Sequence, residues 1–509
     1  MDQALALEIM HSGEHVFLTG AAGSGKTHVL NQFIRQAKNE GKHVSVTATT
    51  GLAATHLGGT TIHAWSGIGI HDELPANFDE HILKGRRDII EATDVLIIDE
   101  VSMLHDYRLD MVDKVARTVR NDQRPFGGIQ VIMCGDFFQL PPVNRRDSRE
   151  GSFVVGSEAW DELEPVICYL GEQHRQDDEI LLDILGALRQ GDIRKRHAEA
   201  LLARINDDDV ENVTQLHTVN IDVDRINEAK LAELDGEEHV YTASTTGKES
   251  YVASLKKSCI AAERLVLKKD ALVMAIKNSP ERKYVNGSIG TVTGFETLTD
   301  NPIVTFLSGK VVTMSLDTWE LRDGDTKRAS ISQIPLKLAY AITVHKSQGM
   351  TLDAARIDLR KAFVEGMGYV ALSRVRRLDG LSLIGINRMA LRVSDEALRI
   401  DQLLRKKAVD DHARFEKFRA KATKRAKEET KRATKKKKEK SSSWAEKLES
   451  MRKDHPNAYR PWTADQDDRL KLGFQNGTSI DELSKKLGRH KRSVVLRLQK
   501  HFGEDIVQL

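Results

Sequence analysis

The sequence predicts an α/β protein built on parallel β-sheets, with a small antiparallel insert and a helical C-terminal unit. Short runs rich in Val and Ile, each ending in a polar residue or Gly, indicate buried parallel strands. These runs are HVFLTG (15–20), VSVTAT (44–49), VLIIDE (95–100), QVIMCGD (130–136) and LSLIGI (381–386). From about 265 to 320, apolar and polar residues alternate around Asn286-Gly287 and Ser308-Gly309, which predicts a small antiparallel barrel.

Length and composition exclude several classes of protein. The 509 residues suggest about three folded units. Hydrophobic residues make up 40% and charged residues 30%, which is typical of a globular chain. No run approaches the ~18 apolar residues of a membrane helix, and Met1 leads into a polar start, so we expect neither membrane insertion nor secretion. Three separated cysteines without CxxC favour a reducing compartment.

A basic segment is hidden by the overall net charge of +2. Residues 405–440 contain 17 Lys and Arg against 6 Asp and Glu, so this stretch carries +11 and the rest of the chain −9. The stretch has few apolar residues and gives way to Ser441-Ser442-Ser443, which favours an exposed helical linker. It indicates either a solvated linker or a contact with a polyanion.

A phosphate-binding loop follows the first predicted strand. The GxxxxGK[ST] pattern comprises Gly20, Ala21, Ala22, Gly23, Ser24, Gly25, Lys26 and Thr27. Glycines let backbone N–H groups surround phosphate oxygens, Lys26 reaches the β- and γ-phosphates, and Thr27 can ligate Mg²⁺. VLIIDE adds Asp99 for the magnesium shell and Glu100 to orient or deprotonate the attacking water.

Together these motifs resemble the petite-integration-frequency (PIF-type) DNA helicases of superfamily 1B. The resemblance spans nearly all of residues 1–400 in the family's order. Its motifs are FLTGAAGSGKT, TATTGLAATHLGGTTIHAWSGIG, VLIIDEVSML, CGDFFQLPPV, QHRQ, YVNGSIGTV, LAYAITVHKSQGMTLD and GYVALSRV. It implies two RecA-like domains that bind ATP between them.

The domain organisation that follows has five parts. The first RecA-like domain covers 1–172 with a small wedge insert near 66–90, and the second covers 173–230 and 332–400. The inserted domain, 231–331, contains an SH3-like barrel. Residues 401–443 form the basic helical linker, and 444–509 form a three-helix, helix-turn-helix or Myb-like module.

The resemblance also implies roles for residues of the nucleotide site. Gln3 corresponds to the adenine-reading glutamine and Gln139 to the γ-phosphate sensor. Arg175 and Arg374 correspond to the two arginines that the second domain presents to the transferring phosphoryl group. Gly349 lets the backbone approach the nucleotide. One departure is Gly366-Met367-Gly368-Tyr369, where the family commonly has Gly-Gln before Tyr-Val-Ala.

Residues of a single-strand DNA groove are implied in the same way. Hydroxyl and imidazole groups would contact phosphates and an aromatic ring would stack on bases. The implied residues are Thr49, Thr50, His63, Trp65, Thr343, His345, Lys346 and Ser347.

The C-terminal module is predicted from two capping boxes and a basic third helix. Thr463-x-x-Gln466 and Ser479-x-x-Glu482 each open a stretch with helical apolar spacing. The third helix carries Lys491, Arg492 and Arg497, so the module could bind duplex DNA. The alternative is a bundle that binds protein.

The sequence therefore predicts an ATP- and Mg²⁺-dependent helicase that translocates on single-stranded DNA, 5′ to 3′ by resemblance, and acts in replication, repair or recombination. The alternatives are an NTPase switch that remodels protein on DNA and a DNA-binding protein without turnover. We expect a monomer that binds single-stranded and forked or tailed DNA, in a bacterial or phage-infected cytoplasm, with a nuclear location as the alternative. Truncation after about residue 403 should retain DNA-stimulated ATPase activity.

Overall fold

The computed structural model contains two compact units, residues 1–422 and 423–509. Among the helices that it describes, none combines the length and apolar character needed to cross a bilayer. The structure describes residues 1–69, 72–144, 149–171, 178–206, 213–259, 261–277, 279, 283–284, 288–297, 299–323, 326–352, 354–425, 449, 451–458, 460 and 462–502.

The first sheet has six parallel strands in the order β3-β2-β4-β5-β1-β6. The four N-terminal apolar runs form β1, β2, β4 and β5, as predicted, and β1, β4 and β5 are buried along their whole length. Since β4, β5 and β1 are neighbours, their carboxyl ends bring the phosphate loop and the acidic pair to one edge. The elements are α1 Gln3–His11, β1 Val16–Gly20, α2 Lys26–Asn39, β2 Val44–Ala48, α3 Gly51–His56, β3 Thr60–Thr61, α4 Ile62–Ser66, α5 Lys84–Ala92, β4 Val95–Asp99, α6 Asp106–Arg120, β5 Gln130–Cys134, α7 Glu158–Leu163 and β6 Val166–Leu170.

The described residues of the insert form three small antiparallel sheets and one helix. The predicted barrel region forms a five-stranded sheet in the order β14-β13-β12-β11-β17, with its own apolar core. The other sheets are β10-β8 and β15-β16-β9. The elements from the second domain's first helix through the insert are α8 Glu179–Gln190, α9 Lys195–Leu202, β7 Gln215–His217, α10 Asn220–Ala232, β8 His239–Thr242, β9 Ser244–Gly247, α11 Glu249–Ser258, β10 Arg264–Leu267, β11 Leu272–Ala275, β12 Ile289–Phe295, β13 Pro302–Phe306, β14 Val311–Thr313, β15 Asp317–Asp323, β16 Thr326–Gln333 and β17 Leu336–Leu338.

The second sheet has four parallel strands in the order β18-β7-β19-β20. After β7 the chain continues into the insert, and it rejoins this sheet at Ala341. The strand Leu336–Leu338 still belongs to the insert, because it pairs with β11. The predicted strand LSLIGI is β20. The remaining elements of this unit are β18 Ala341–Thr343, α12 Val344–Ser347, β19 Ala355–Leu359, α13 Met367–Leu372, β20 Leu381–Ile386 and α14 Asp395–Phe415.

Helix α14 differs from the predicted exposed linker. Its early residues Ile400 and Leu404 join the large core, and Phe415, 2% exposed, enters the core of the first sheet. The Asp411 carboxylate accepts a hydrogen bond from the Ile167 N–H of β6 at 2.8 Å. Burial of Phe415 alone contributes about 1.5–3 kcal/mol. The prediction that a linker begins at residue 401 is therefore wrong.

Basic residues beyond α14 pair with helix α1. Arg419 contacts Asp2, and Lys421 lies 2.5 Å from Glu8, whose side chain is 1% exposed. A chain cut after residue 403 would lose these ion pairs, and removing one partner of a buried carboxylate is costly. We therefore no longer expect such a truncation to retain activity.

Residues 462–502 of the C-terminal unit form three helices around a small core: α15 Ala464–Gln475, α16 Ile480–Leu487 and α17 Lys491–Phe502. Thr463 and Ser479 accept hydrogen bonds from the N–H groups of Gln466 and Glu482, which confirms both N-caps. The Gln466 side chain accepts from the Arg489 guanidinium at 2.7 Å. The module thus has the three predicted helices. Gln466, in the first turn of α15, is also hydrogen-bonded to the buried Arg489.

Candidate active site and DNA interface

The phosphate loop has a backbone that only glycine adopts easily at several positions. Gly20, Gly23 and Gly25 have φ values of 147°, 88° and 85°. A Cβ on Gly20 would lie 2.7 Å from the Leu170 carbonyl oxygen of the neighbouring strand. Lys26 begins α2, and its Nζ donates to the Gly20 carbonyl at 2.8 Å. The loop therefore has the curved backbone and the positioned ammonium group that a triphosphate requires.

Asp99 and Glu100 occupy the carboxyl end of β4. Asp99 is 8% exposed, accepts from the Glu100 N–H at 2.9 Å and is hydrogen-bonded by the Cys134 thiol. Burial raises the pKa of Asp99, and burial together with the Asp99 charge raises the pKa of Glu100 to about 7. A carboxyl group with a pKa near neutrality suits proton transfer from water.

Glu100 also has an unusual backbone conformation. Its φ of 54° and ψ of 42° place it in the left-handed region, which non-glycine residues rarely adopt. The Thr49 hydroxyl donates to the Glu100 carbonyl at 2.9 Å, and the Thr49 N–H donates to the Asp99 carbonyl at 3.2 Å. Such strain persists where surrounding contacts hold it, and it often marks a functional position.

Gln348 joins the two polar side chains of the predicted catalytic edge. Its Nε2 donates to Glu100 Oε2 at 2.9 Å and to Gln139 Oε1 at 3.0 Å. Gln348 comes from the second sheet's side of the site and is 8% exposed. The motif containing it was recognised from sequence, but nothing in the order of residues indicated that this amide would contact Glu100.

Arg374 lies just after α13 and is 1% exposed. Its guanidinium donates to the carbonyl oxygens of Val370, Ser347 and Met350 at 2.8, 3.3 and 3.2 Å. It lines a cleft of about 360 Å³ between the two sheets. The other lining residues are Ala22, Gly23, Gly25, Lys26, Thr27, Glu100, Gln139, Gly349, Thr351 and Arg376.

The second predicted arginine, Arg175, lies outside the described residues, as does its motif QHRQ. Arg376 also lines the cleft, which the sequence analysis did not predict. It is exposed and follows Arg374 by two residues. Gly349, with φ of 79°, faces the cleft as predicted. The cleft therefore gathers predicted residues from both sheets, namely Ala22, Gly23, Gly25, Lys26, Thr27, Glu100, Gln139, Gly349 and Arg374, whereas Gln3, Gly20, Ala21, Ser24 and Asp99 are not among its lining residues.

A buried network led by Tyr369 ties the phosphate loop to the second sheet. The Tyr369 hydroxyl accepts from the Ala22 N–H at 2.9 Å and donates to Asp136 Oδ2 at 3.2 Å. Arg189 reaches both Asp136 carboxylate oxygens at 2.6 Å. Because each polar group in this network has a partner, its burial is compensated.

Gly366 and Gly368 lie in the segment that departs from the family's Gly-Gln pattern. A Cβ on Gly366 would lie 2.6 Å from the Gln139 carbonyl oxygen, and one on Gly368 would lie 1.9 Å from that of Ala390. Both glycines therefore permit close packing of α13. Met367 between them is fully buried, so its side chain packs in the core instead of facing the cleft.

The adenine-reading candidate Gln3 is the first residue of α1. Its Nε2 donates to the Ser24 carbonyl of the phosphate loop at 3.2 Å. The Asp2 side chain caps this helix by accepting from the Leu5 N–H at 2.9 Å, and Asp2 also pairs with Arg419. The position of Gln3 therefore depends on the segment beyond α14.

Three of the predicted DNA-binding residues are buried. Trp65 is 4% exposed and belongs to the hydrophobic core, so its prediction as a base-stacking face is wrong in this structure. Thr343 caps α12 by accepting from the Lys346 N–H at 3.3 Å, and Ser347 donates to the Val344 carbonyl at 2.7 Å. Both hydroxyl groups hold the local backbone and do not face solvent.

The other predicted DNA-binding residues remain at least partly accessible. Thr49, Thr50, His63 and His345 are partly buried, and Lys346 is exposed. Thr50 accepts from the Ala53 N–H at 3.2 Å and so caps α3.

Both histidines of this group have a pKa below the usual value of an imidazole. Burial, with the charges of Arg108 and His105, lowers the pKa of His63 to about 4, and burial lowers the pKa of His345. Each could contact a phosphate as a hydrogen-bond donor without carrying a positive charge.

Phe363 and Lys337 were missed by the sequence reasoning. Phe363 is 60% exposed, and its ring stacks with His345 at 6.3 Å between centroids. Burial and the Lys346 charge lower the pKa of Lys337 to about 8, which indicates two neighbouring cations. A single Phe or Lys between predicted elements carries no signal by itself, so only the structure reveals this aromatic and basic surface.

The basic residues of α17 divide into internal and accessible groups. Arg497 donates to Asp467 Oδ1 at 2.7 Å and lies 5.5 Å from the Trp462 ring centre, so its prediction as a DNA contact is replaced by a role inside the module. Lys491 pairs with Asp481 across exposed surface, and Arg492 is exposed. Arg492 therefore becomes the principal candidate on this helix for contact with a partner.

Comparison with known proteins identifies close similarity over most of the chain. The model of the PIF1-like helicase family matches residues 1–194. The ATP-dependent DNA helicase Pif1 of Psychrobacter is 39% identical over 477 residues, which cover 82% of this chain and 72% of that protein. The protein of the same name from Bdellovibrio bacteriovorus is 37% identical, covering 78% of this chain and 90% of its own length.

Solved structures agree with this assignment. The Pif1 helicase of Candida albicans has a TM-score of 0.69 at 32% identity, covering 79% of this chain and 98% of that chain. Bacteroides Pif1 in complex with ADP-AlF4 has a TM-score of 0.69 at 29% identity, covering 80% and 97%. Bacteroides Pif1 bound to single-stranded DNA has a TM-score of 0.59 at 30% identity, covering 79% and 96%. With its phosphate loop, acidic pair and second-sheet arginine around one cleft, the chain belongs to the Pif1 family of ATP-dependent DNA helicases.

Proposed function

We propose that this helicase translocates 5′ to 3′ along single-stranded DNA and separates duplexes that it meets. The observation that carries the proposal is the cleft lined by Lys26 and Glu100 from one sheet and by Gly349 and Arg374 from the other. A ligand bound to both walls favours a closed cleft, and hydrolysis removes that preference. Repeated closure moves the two sheets relative to each other, as translocation requires.

The nucleotide site fits ATP with Mg²⁺. Thr27 lies in the first turn of α2. The buried Asp99 carboxylate lies near Lys26, whose positive charge acts to lower the pKa of Asp99. These two oxygen ligands suit Mg²⁺, which would neutralise charge on the β- and γ-phosphates. Lys26 and the loop amides hold the phosphates, and Glu100 orients the attacking water.

For DNA, we propose a groove on which Lys346, His345 and Phe363 are the accessible second-sheet contacts. Lys346 with Lys337 attracts phosphates, and Phe363 takes the stacking role first expected of Trp65. The single-stranded DNA complex of Bacteroides Pif1 supports this partner. The structure of two coordinating Pif1 helicases at forked duplex DNA supports forked DNA as a second partner.

The expected test result is ATP-dependent displacement of a strand from a duplex with a 5′ single-stranded tail, much faster than from one with a 3′ tail. Lys26→Ala is the control: because it should bind ATP poorly, it should displace the strand from neither substrate. Equal displacement from both substrates would contradict the polarity. Stimulation of ATPase activity by DNA without any strand separation would favour the alternative of a remodeller that displaces protein.

We further propose that the C-terminal module contacts duplex DNA at a fork. A chain ending after residue 425 should retain DNA-stimulated ATPase activity, because α14 and the cleft and groove residues precede this point. Loss of three to five phosphate contacts should flatten the slope of log K against log salt by roughly 2 to 4 units. Binding titrations of forked and single-stranded DNA at several salt concentrations measure this effect, which should be larger for the fork.

Arg492→Ala should reproduce part of that loss without unfolding the module. Arg497→Ala is the matched control, since it breaks the internal contact with Asp467 and should lower the stability of the module. Unchanged affinity and slope in the truncated chain would mean that the module binds protein.

We propose that the chain is a monomer in the absence of DNA, and its stoichiometry on a fork should be measured separately. A bacterial or phage-infected cytoplasm, in association with the nucleoid, is the proposed location, supported by similarity to the two bacterial proteins. A nuclear location is the alternative. Participation in replication, repair or recombination follows from the proposed preference for tailed and forked DNA.

A further inference from the structure

We propose that the segment from Asp411 to Lys421, here called the strap, positions helix α1 so that Gln3 selects adenine over other bases. The inference rests on the proposed nucleotide site, in which Gln3 is the adenine-reading residue. Within the strap, Arg419 is the specificity-determining positioning residue, because it contacts Asp2, which immediately precedes Gln3.

Helix α1 depends on its neighbours for its position. It has nine residues, and isolated helices shorter than about 12 to 15 residues are marginal in water. Its buried apolar residues share one hydrophobic core with Phe415 of the strap, and Phe418 packs against the same core. Since Gln3 is the first residue of α1, whatever holds this helix also sets the place of the Gln3 side chain.

The strap is attached to the first sheet by one polar and one apolar contact. The Asp411 carboxylate accepts a hydrogen bond from the Ile167 N–H of β6 at 2.8 Å. Four residues later Phe415 enters the core, and its ring centre lies 5.7 Å from that of Phe418. The strap therefore has a defined position, from which its basic residues act on α1.

Two basic residues of the strap contact α1 near its start and in its second half. Arg419 pairs with Asp2 through one carboxylate oxygen, while the other oxygen caps the helix by accepting from the Leu5 N–H at 2.9 Å. The Lys421 ammonium lies 2.5 Å from the carboxylate of Glu8, a residue that is 1% exposed. The two ion pairs are about 9 Å apart along the helix axis, so together they oppose both sliding and rotation of α1.

The Arg419 guanidinium is itself held within the strap. Its Nε donates to Glu416 Oε1 at 2.9 Å, and its Nη2 lies 3.1 Å from His412 Nε2. A planar guanidinium that is held on one edge presents its remaining N–H groups in a fixed direction. In this structure that direction is toward Asp2.

The position of α1 matters more for the base than for the phosphates. The Gln3 amide donates to the Ser24 carbonyl of the phosphate loop at 3.2 Å, which places it beside the nucleotide site. A glutamine amide recognises adenine through a pair of hydrogen bonds, to N7 and from the exocyclic amine, and such bonds weaken steeply with misalignment. Lys26 belongs to another helix, α2, so a shift of α1 disturbs base reading and leaves phosphate binding intact.

The test compares Arg419→Ala with wild type and with Lys424→Ala in the full-length chain. Lys424 is an exposed cation that follows the strap in sequence, so the control removes the same charge from outside it. We measure kcat and KM for ATP and for inosine triphosphate with saturating oligo-dT, and the Kd of the oligonucleotide. Inosine triphosphate keeps the sugar and phosphates but has a carbonyl oxygen in place of the adenine amine.

In Arg419→Ala, KM for ATP should rise by about 5- to 20-fold, as expected when one pair of hydrogen bonds to a base is misplaced. KM for inosine triphosphate, kcat for both nucleotides and Kd for oligo-dT should stay within about twofold, and Lys424→Ala should match wild type. Arg419→Lys should recover part of the preference for ATP, because an ammonium group can still pair with Asp2.

Two further variants separate positioning from general stability. Asp2→Asn keeps a residue that caps helices but loses the charge that pairs with Arg419, so it should reproduce the loss of preference even if Arg419→Ala fails to fold. In a chain that already carries Gln3→Ala, Arg419→Ala should not change the preference further, because the two residues act through the same contact with the base.

An equal rise of KM for both nucleotides would overturn the proposal, because the strap would then support the whole phosphate loop. An unchanged preference in Arg419→Ala and Asp2→Asn, with or without a lower melting temperature, would overturn it as well. Equal use of both nucleotides by wild type would also refute it, since Gln3 would then not read adenine. Failure of wild type to separate either tailed duplex, with the preference for ATP intact, would instead contradict the proposed function alone.

Discussion

Glu100→Gln is expected to lower ATP turnover by about 10²- to 10⁴-fold while ATP binding is retained. The amide has the shape of the carboxylate but cannot take a proton from water. Gln348 can still approach the substituted side chain, since the amide oxygen accepts a hydrogen bond from its Nε2. The expected product is a chain that closes on ATP and DNA and remains there.

Lys26→Ala provides the contrasting result for the same cleft. Loss of the ammonium group should weaken ATP binding, because Lys26 supplies the positive charge that the phosphate loop directs at the β- and γ-phosphates. Nucleotide titration and single-turnover hydrolysis separate the two defects. Normal single-turnover hydrolysis in Glu100→Gln would remove Glu100 from the role of orienting water, and unaltered ATP affinity in Lys26→Ala would remove Lys26 from phosphate binding.

Arg374→Ala is expected to lower ATP turnover by about 10³-fold or more, with a much smaller effect on ground-state ATP affinity. The guanidinium stabilises charge that develops on the transferring phosphoryl group. In this structure it also donates to the carbonyl oxygens around Gln348, so the substitution removes two functions together. Arg374→Lys should recover little activity, because an ammonium group lacks the planar fork.

Stability must be measured beside turnover for this variant. Arg374 is almost fully buried, so its loss leaves backbone carbonyls without their donor and should lower the melting temperature. Arg376→Ala is a useful comparison, since Arg376 lines the same cleft but is exposed. Unchanged turnover in Arg374→Ala, together with a large loss in Arg376→Ala, would transfer the catalytic role to Arg376, with Arg175 as the other candidate.

Much of the fold followed from local sequence patterns. The apolar runs became parallel strands because a strand covered on both faces must be apolar along its length. The phosphate loop was recognisable because its chemistry needs glycines at fixed intervals before a helix, and these glycines have the expected positive φ values. The caps at Thr463 and Ser479 were predicted for the same reason, since a helix start depends on neighbouring residues.

Long-range packing decided what local patterns could not. A tryptophan in this motif can stack on a base or fill a core, and the sequence does not distinguish the two. Only the folded structure shows that Trp65 is buried in the core. Helix α14 looked like an exposed linker because charged residues dominate it. Ile400 and Leu404 nevertheless bury the start of the helix, and Phe415 and Asp411 attach its end to the first sheet. Which charged helix packs against which sheet depends on contacts between distant parts of the chain.

The sequence by itself determined the chemistry of the nucleotide site and the class of fold, since both depend on residue types at short, regular spacing. The tertiary structure alone decided which partners those residues have. Gln348 with Glu100, and Tyr369 with Ala22, are contacts between residues hundreds of positions apart. Such pairs form because two sheets meet across a cleft, and their relative placement depends on the sum of many packing contacts that no single segment encodes.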